Sequence, residues 1–189
     1  MDSSCSCSRK RFVGGLAAVA AALGIPRAAR AAAGGSYATR ELWLERADSG
    51  AQLVAPFCLD GKTLYLPGYY KLCEMLRDAH VSWKRGAKYI DVRLIQALWE
   101  VQLYFWRDGI HAPLVIHSGY RSPETNAATE GAARNSLHMW GMAADFHIPG
   151  VSIEDLWQAS AACPLSGGVG YYPEGWVHLD VGARRYWAD

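Results

Sequence analysis

Hydrophobic positions alternate with polar ones on both sides of Asp48-Ser49-Gly50: Leu42 and Leu44 before it, Leu53, Ala55 and Phe57 after it. A period of two on either side of a turn signal predicts a β-hairpin. The period then lengthens. In "PGYYKLCEMLRDAH", Tyr69, Leu72, Cys73 and Leu76 fall at helical spacing behind Pro67-Gly68. A longer helix is predicted in "DVRLIQALWEVQLYFWRDG", with Leu94, Leu98, Val101, Leu103 and Phe105 on its apolar face, Asp91 as N-cap and Gly109 as the stop. "PLVIHSGYRSP" reads as a strand ending at a turn, and "MAADFHI" and "GWVHLDVG" read as two more strands. Between those two, "SIEDLWQASAAC" fits a helix capped by Ser152, with Glu154 and Asp155 in its first turn. No repeat or long linker divides this succession. It predicts one α+β domain, with helices packed on one face of a small, mainly antiparallel sheet.

The N-terminal segment follows different rules. Arg9, Lys10 and Arg11 precede an apolar run from Phe12 to Ile25, and small residues follow around Ala29-Arg30-Ala31 and Ala31-Ala32-Ala33. Basic, apolar, then small is the order of a cleaved export signal. The run of about fourteen residues is short for a spanning helix of roughly 20. We therefore expect residues 1–33 to be removed on export, with no permanent membrane span, and residues 34–189 to form the mature domain. "SRKRF" resembles the twin-arginine pattern with Lys10 in place of the second arginine, so the twin-arginine and general routes both stay open. Cys5 and Cys7 would leave with the signal; Cys58, Cys73 and Cys163 remain, an odd number that allows one disulfide at most.

Composition narrows the function. Of 189 residues, 51% are hydrophobic and 20% charged, which describes a globular chain. The formal net charge of +1 gives no sign of a nucleic-acid partner. Eight Trp and ten Tyr are more than a minimal core needs. Aromatic clefts grip sugars or peptides, but core and rim packing is the plainer account of the surplus.

Three segments hold the candidate chemistry: "NSLHMWGMAADFH", "HSGYRSPETN" and "GWVHLD". Strand alternation puts Trp176, His178 and Asp180 on one face and Val177, Leu179 and Val181 on the other. The apolar set belongs to the core, so the polar set faces a cleft or solvent. By the same phase Asp145 and His147 share a face opposite Phe146 and Ile148. His138, Asp145 and His178 would supply two imidazoles and a carboxylate, a donor set that suits zinc. Spacing alone does not require a metal, because a histidine seven residues before an aspartate is a weak pattern. His147 reads as a surface, second-layer or substrate group, and His117 as a satisfied core histidine. His80 and His111 suggest nothing.

The residues around these positions add to the reading. "SLHMWGMAAD" resembles the S-x-H-x-x-G-x-A-x-D signature of the zinc D,D-peptidases of bacterial cell walls, with Ser136, His138, Gly141, Ala143 and Asp145 in place. "SGYRSPETN" resembles the arginine-bearing turn of that superfamily, and "GGVGYYPEGWVHLDVGARRYW" resembles the ending of its murein endopeptidase K-like branch. The resemblance implies zinc in a cleft, bound by His138, Asp145 and His178. It also implies a water activated for attack on a peptide carbonyl, and Arg121 stabilising the oxyanion. The implied substrate is the stem-peptide cross-link of peptidoglycan, at a bond joining diaminopimelate residues or at the neighbouring D-Ala linkage. A D,D-carboxypeptidase trimming free stem ends and a non-catalytic wall-binding module are the alternatives on the same fold.

One departure concerns the general base. Many members of the superfamily carry it three residues before the last ligand, where this chain has Gly175. Asp180 shares a strand face with His178 and is the favoured candidate, either as base or as a partner orienting His178; Glu174 is the other candidate. Asp180 could also merely cap the strand or pair with Arg184 or Arg185.

Overall fold

A computed structural model describes residues 38–188, so the expected export segment lies outside the described residues. The predicted hairpin forms: β1 (Arg40–Arg46) and β2 (Gln52–Cys58) pair antiparallel. Three helices follow, α1 (Leu66–Met75), the single-turn α2 (Trp83–Gly86) and α3 (Val92–Arg107). Asp91 caps α3 by accepting from the Arg93 N–H, and Gly109, at φ +88°, lies just beyond its end. The chain continues through β3 (Leu114–Ser118), α4 (Pro123–Ala128), a 3-10 turn (Leu137–Trp140), β4 (Ala143–His147) and α5 (Ile153–Ala162). It finishes with β5 (Gly168–Tyr172), β6 (Trp176–Asp180) and β7 (Arg185–Ala188).

The small, mainly antiparallel sheet expected from the sequence needs correcting. All seven strands join one mixed sheet, in the order β2-β1-β3-β4-β6-β5-β7, and β1–β3 and β5–β7 pair in parallel. The first parallel pair arises because β2 and the helical segment return the chain to run alongside β1. No local hydrophobic period encodes that choice.

One face of the sheet is apolar. Leu44, Leu114, Phe146, Val177 and Leu179 form a single core with Leu72 and Leu76 near α1, Leu94 and Leu98 of α3 and Leu156 of α5. Gly68 lets α1 close on β2, since a Cβ there would lie 1.6 Å from the Pro56 carbonyl oxygen. Buried Gln102 ties α3 to β1: its Oε1 accepts from Trp43 N at 3.0 Å and its Nε2 donates to Trp43 O at 2.8 Å. Cys58, Cys73 and Cys163 are all buried and unpaired, so core packing takes the place of cross-links.

The opposite face of β4 and β6 carries the polar set, and residues 119–142 wrap over it. Bonds from backbone N–H groups help hold this segment: Tyr120 N to Leu76 O, Ser122 N to Asp78 Oδ2, Asp91 N to Gly141 O, and Val181 N to Met142 O.

Candidate metal centre

Each residue of the 136–145 motif has a local task. Ser136 caps the 3-10 turn by accepting from His138 N, which fixes where the imidazole points. Gly141 ends the turn at φ +66°, against the Tyr89 carbonyl oxygen, which an added Cβ would approach to 2.8 Å. Ala143 and Ala144 are fully buried and bring β4 in against β6, where Asp145 sits directly opposite His178.

Three atoms converge. Asp145 Oδ1 lies 2.8 Å from His178 Nδ1 and 3.3 Å from His138 Nε2, and the two nitrogens are 3.2 Å apart. All three residues are buried. The far side of each ring shows which nitrogen is available. His138 Nδ1 is 2.6 Å from the Gly119 carbonyl, which can only accept, so Nδ1 carries the proton and Nε2 keeps its lone pair. His178 Nε2 lies 3.1 Å from Asp180 Oδ2 and by the same logic leaves Nδ1 as the ligand atom. Two imidazole lone pairs and a carboxylate oxygen facing one point are a donor set for a divalent cation, and these residues fit one.

Charge follows from burial and neighbours. Burial would raise the Asp145 carboxyl, but the two histidines beside it outweigh that and hold it well below the usual carboxylate range. Burial would depress His178, but hydrogen bonds to Asp145 and Asp180 raise it instead. Arg121 adds an ion pair to Asp145 Oδ2, donates from Nε to Ser118 Oγ at 2.7 Å, and donates its backbone N–H to His138 O at 3.2 Å.

Asp180 is turned away from the ligand atoms. It is fully buried, with Oδ1 accepting from Gly168 N at 2.8 Å and Gly182 N at 2.9 Å. Its Oδ2 takes His178 Nε2 and Arg185 Nη2, the latter at 2.6 Å. These contacts engage both oxygens and put the carboxylate on the ring edge opposite the ligating nitrogen, which suits the expected alternative, a partner that orients His178. Glu174 is exposed on the β5–β6 turn and does not line the cleft. The carboxylate on the cleft wall that sequence reasoning missed is Glu130, in a loop with no periodic signal.

The cleft has a volume of about 470 Å³. Tyr172 and Trp176 stack on one wall with centroids 5.7 Å apart, and Trp187 donates to the Tyr172 hydroxyl at 3.1 Å. Part of the aromatic surplus therefore lines the cleft rather than the core. β5 escaped the sequence reading because Gly168 and Gly170 interrupt its pattern. Both leave room for neighbours: a Cβ at Gly168 would lie 2.4 Å from Asp180 Oδ2, and one at Gly170 would lie 2.5 Å from the Trp187 ring.

His117 is not a core histidine. It bulges out of β3 beside His147, Nε2 to Nδ1 2.7 Å, with Trp176 packed on its ring at 5.6 Å. Burial depresses both imidazoles, and in His117 the neighbouring His147 adds to the effect. His80 sits at the loop after α1, and His111 packs on Trp106 away from the centre.

A family model described as peptidoglycan L,D-endopeptidase MepK, in the M15 peptidases, matches residues 35–187. The chain is 35% identical over 153 residues to the peptidoglycan L,D-endopeptidase MepK of Escherichia coli (strain K12), covering 78% of this chain and 80% of that protein. A relative in Shigella flexneri with the same name matches equally. A probable peptidoglycan L,D-endopeptidase MepK of Haemophilus influenzae is 35% identical over 123 residues, 62% of each chain.

Proposed function

The chain belongs to the peptidoglycan L,D-endopeptidase MepK family of M15 peptidases, and from that premise we propose that it hydrolyses peptide cross-links in peptidoglycan with zinc held by His138, Asp145 and His178. The observation that carries this reading is the convergence of His138 Nε2, Asp145 Oδ1 and His178 Nδ1, with each ring's other nitrogen bonded outward. Zinc held there would supply Lewis acidity and would make a water acidic enough to attack near neutral pH.

The protein's own residues do the remaining work. Gly119 O and Asp180 fix the two imidazoles. Asp180 is a positioning residue that acts through His178. Arg121 holds the second oxygen of Asp145, and its Nη1 amino group, which bonds to none of the described residues, is available to the carbonyl oxygen as it gains charge. Glu130, on the cleft wall, takes a proton from the attacking water and delivers it to the leaving nitrogen. The water oxygen bonds to the carbonyl carbon, the C–N bond breaks, and a carboxylic acid and an amine result. Tyr172, Trp176 and Trp187 hold the peptide across the centre.

This substrate lies outside the cytoplasm, and residues 1–33 serve export to it. No helix among the described residues is long and apolar enough to cross a membrane. Metal analysis tests the centre: the purified protein should carry one zinc, and His138→Ala should carry none. Full zinc content in His138→Ala would exclude this ligand set.

A further inference from the structure

At His117, β3 carries one residue more than its partner strand. Ile116 pairs with Phe146 and Ser118 with Asp145, which are neighbours on β4, so His117 is the extra residue of a bulge. The bulge turns the exposed His117 ring onto His147, with Nε2 2.7 Å from His147 Nδ1. Trp176 packs on the His117 ring at 5.6 Å and holds its direction. His147 lies two residues beyond Asp145 on the same face of β4, about 6.5–7 Å along the strand. Trp176 lines the metal cleft, and His117 lines a second cavity of about 170 Å³. Arg121 lines both, so the histidine pair stands at the rim where the two meet.

Two imidazole nitrogens turned to each other are also two ligands for one ion. Donor atoms on a common ion, each about 2.0–2.1 Å from it, stand about 2.8–3.4 Å apart at bond angles between square and tetrahedral. The donor atoms of the centre itself are 2.8, 3.2 and 3.3 Å apart. The His117–His147 pair needs to open only slightly to match, and an exposed ring can give that much. One of its two nitrogens carries the proton of their bond. Moving that proton to the other nitrogen of the same ring leaves both lone pairs for an ion. Solvent fills the remaining positions, because His117 is exposed. Imidazole suits zinc, copper and nickel, whereas magnesium and calcium take oxygen. Glu45 adds charge of the right sign: it lies in the same row across the sheet, with Val115 between it and His147 and in register with both. We propose that His117 and His147 form a second site for a divalent transition-metal ion, weaker than the centre and set across the rim of its cleft, so that zinc beyond the first equivalent obstructs the substrate. The site stands apart from the hydrolase reading above; only the obstruction rests on it. With two protein ligands against three, it empties on dialysis into zinc-free buffer, and the protein as purified keeps the central ion alone.

The test titrates zinc chloride into the dialysed, zinc-loaded protein. Calorimetry should record one further equivalent of zinc. His117→Ala and His147→Gln should each lose that equivalent and keep the central zinc, which also shows that they fold. His138→Ala, stripped of the central ion, should still take it up. Magnesium chloride should not bind. With cross-linked stem-peptide dimers as substrate, wild type should lose turnover as zinc rises past one equivalent, and His117→Ala should show no such loss over the same range. A wild type that takes up no second zinc overturns the site, and so does a His117→Ala variant that keeps the second equivalent. A second equivalent that binds wild type without slowing turnover overturns its placement across the substrate's path. Absence of turnover at one equivalent would count against the hydrolase reading, and the stoichiometry would still decide the site.

Discussion

His178 and Asp180, two residues apart on β6, are joined edge to edge: the imidazole Nε2 meets the fully buried Asp180 Oδ2 at 3.1 Å, while Nδ1 faces Asp145. The carboxylate sets the tautomer and the direction of the ligand atom. Asp180→Asn should therefore weaken zinc binding about 10- to 100-fold. Saturating zinc should restore most of kcat, measured by titrating metal into the stripped variant. A kcat that stays low at full zinc occupancy would return the role of base to Asp180.

Glu130 and Glu174 differ in placement, since Glu130 lines the cleft and Glu174 does not. Glu130→Gln should lower kcat by about 10²- to 10⁴-fold with zinc retained. Glu174→Gln should stay near wild type. The reverse pattern in the same assay would move the proton-transfer role to the turn.

Gly119 couples the core to the centre without being a ligand. Its carbonyl accepts from His138 Nδ1 at 2.6 Å, and a Cβ on it would lie 2.4 Å from the Leu76 carbonyl oxygen. Gly119→Ala must push β3 and Leu76 apart, at a cost of about 1–3 kcal/mol. It should also release zinc more readily than wild type, because His138 loses its anchor. Chelator competition and denaturant unfolding measure the two effects; a variant with wild-type zinc retention would contradict this coupling.

Asp78 ties the end of α1 to the turn that carries Arg121. Burial would raise its carboxyl, but hydrogen bonds from Thr125, Ser122 and His80 outweigh that and hold it below its ordinary value of 3.8. A carboxyl depressed in the folded state stabilises the fold above its unfolded pKa, and that stability is lost as pH falls through the folded value. Asp78→Asn should cost about 1–3 kcal/mol near pH 7. The gap from wild type should begin to narrow near pH 4, where the unfolded chain's carboxyl takes up its proton, and should close further as pH falls through the lower folded value. Urea unfolding at a series of pH values reads both; a gap independent of pH would show that the charge plays no part.

The sequence revealed the elements whose own residues determine them. Val177 and Leu179 set the phase of β6 and so put His178 and Asp180 on the cleft face. Asp91 and Ser152 marked the starts of α3 and α5. Elements that depend on distant partners stayed hidden. Gly168 and Gly170 look unlike a strand until Asp180 and Trp187 are seen filling the space over them. The parallel pairing of β1 with β3 depends on the crossover, not on either strand. Alternation placed Asp180 on the right face but could not say which edge of the His178 ring it meets. His117 passed for a core residue because its bulge in β3 breaks the strand period.

The most direct test of the whole account is the digestion of purified sacculi with the zinc-loaded protein, followed by separation of the muropeptides. Cross-linked dimers should decline with a matching rise in monomers. Chelator should abolish the change, added zinc should restore it, and His138→Ala should have no effect. Dimers that persist with the zinc-loaded protein, monomers trimmed at their ends while dimers stay intact, or equal digestion in the presence of chelator would contradict it.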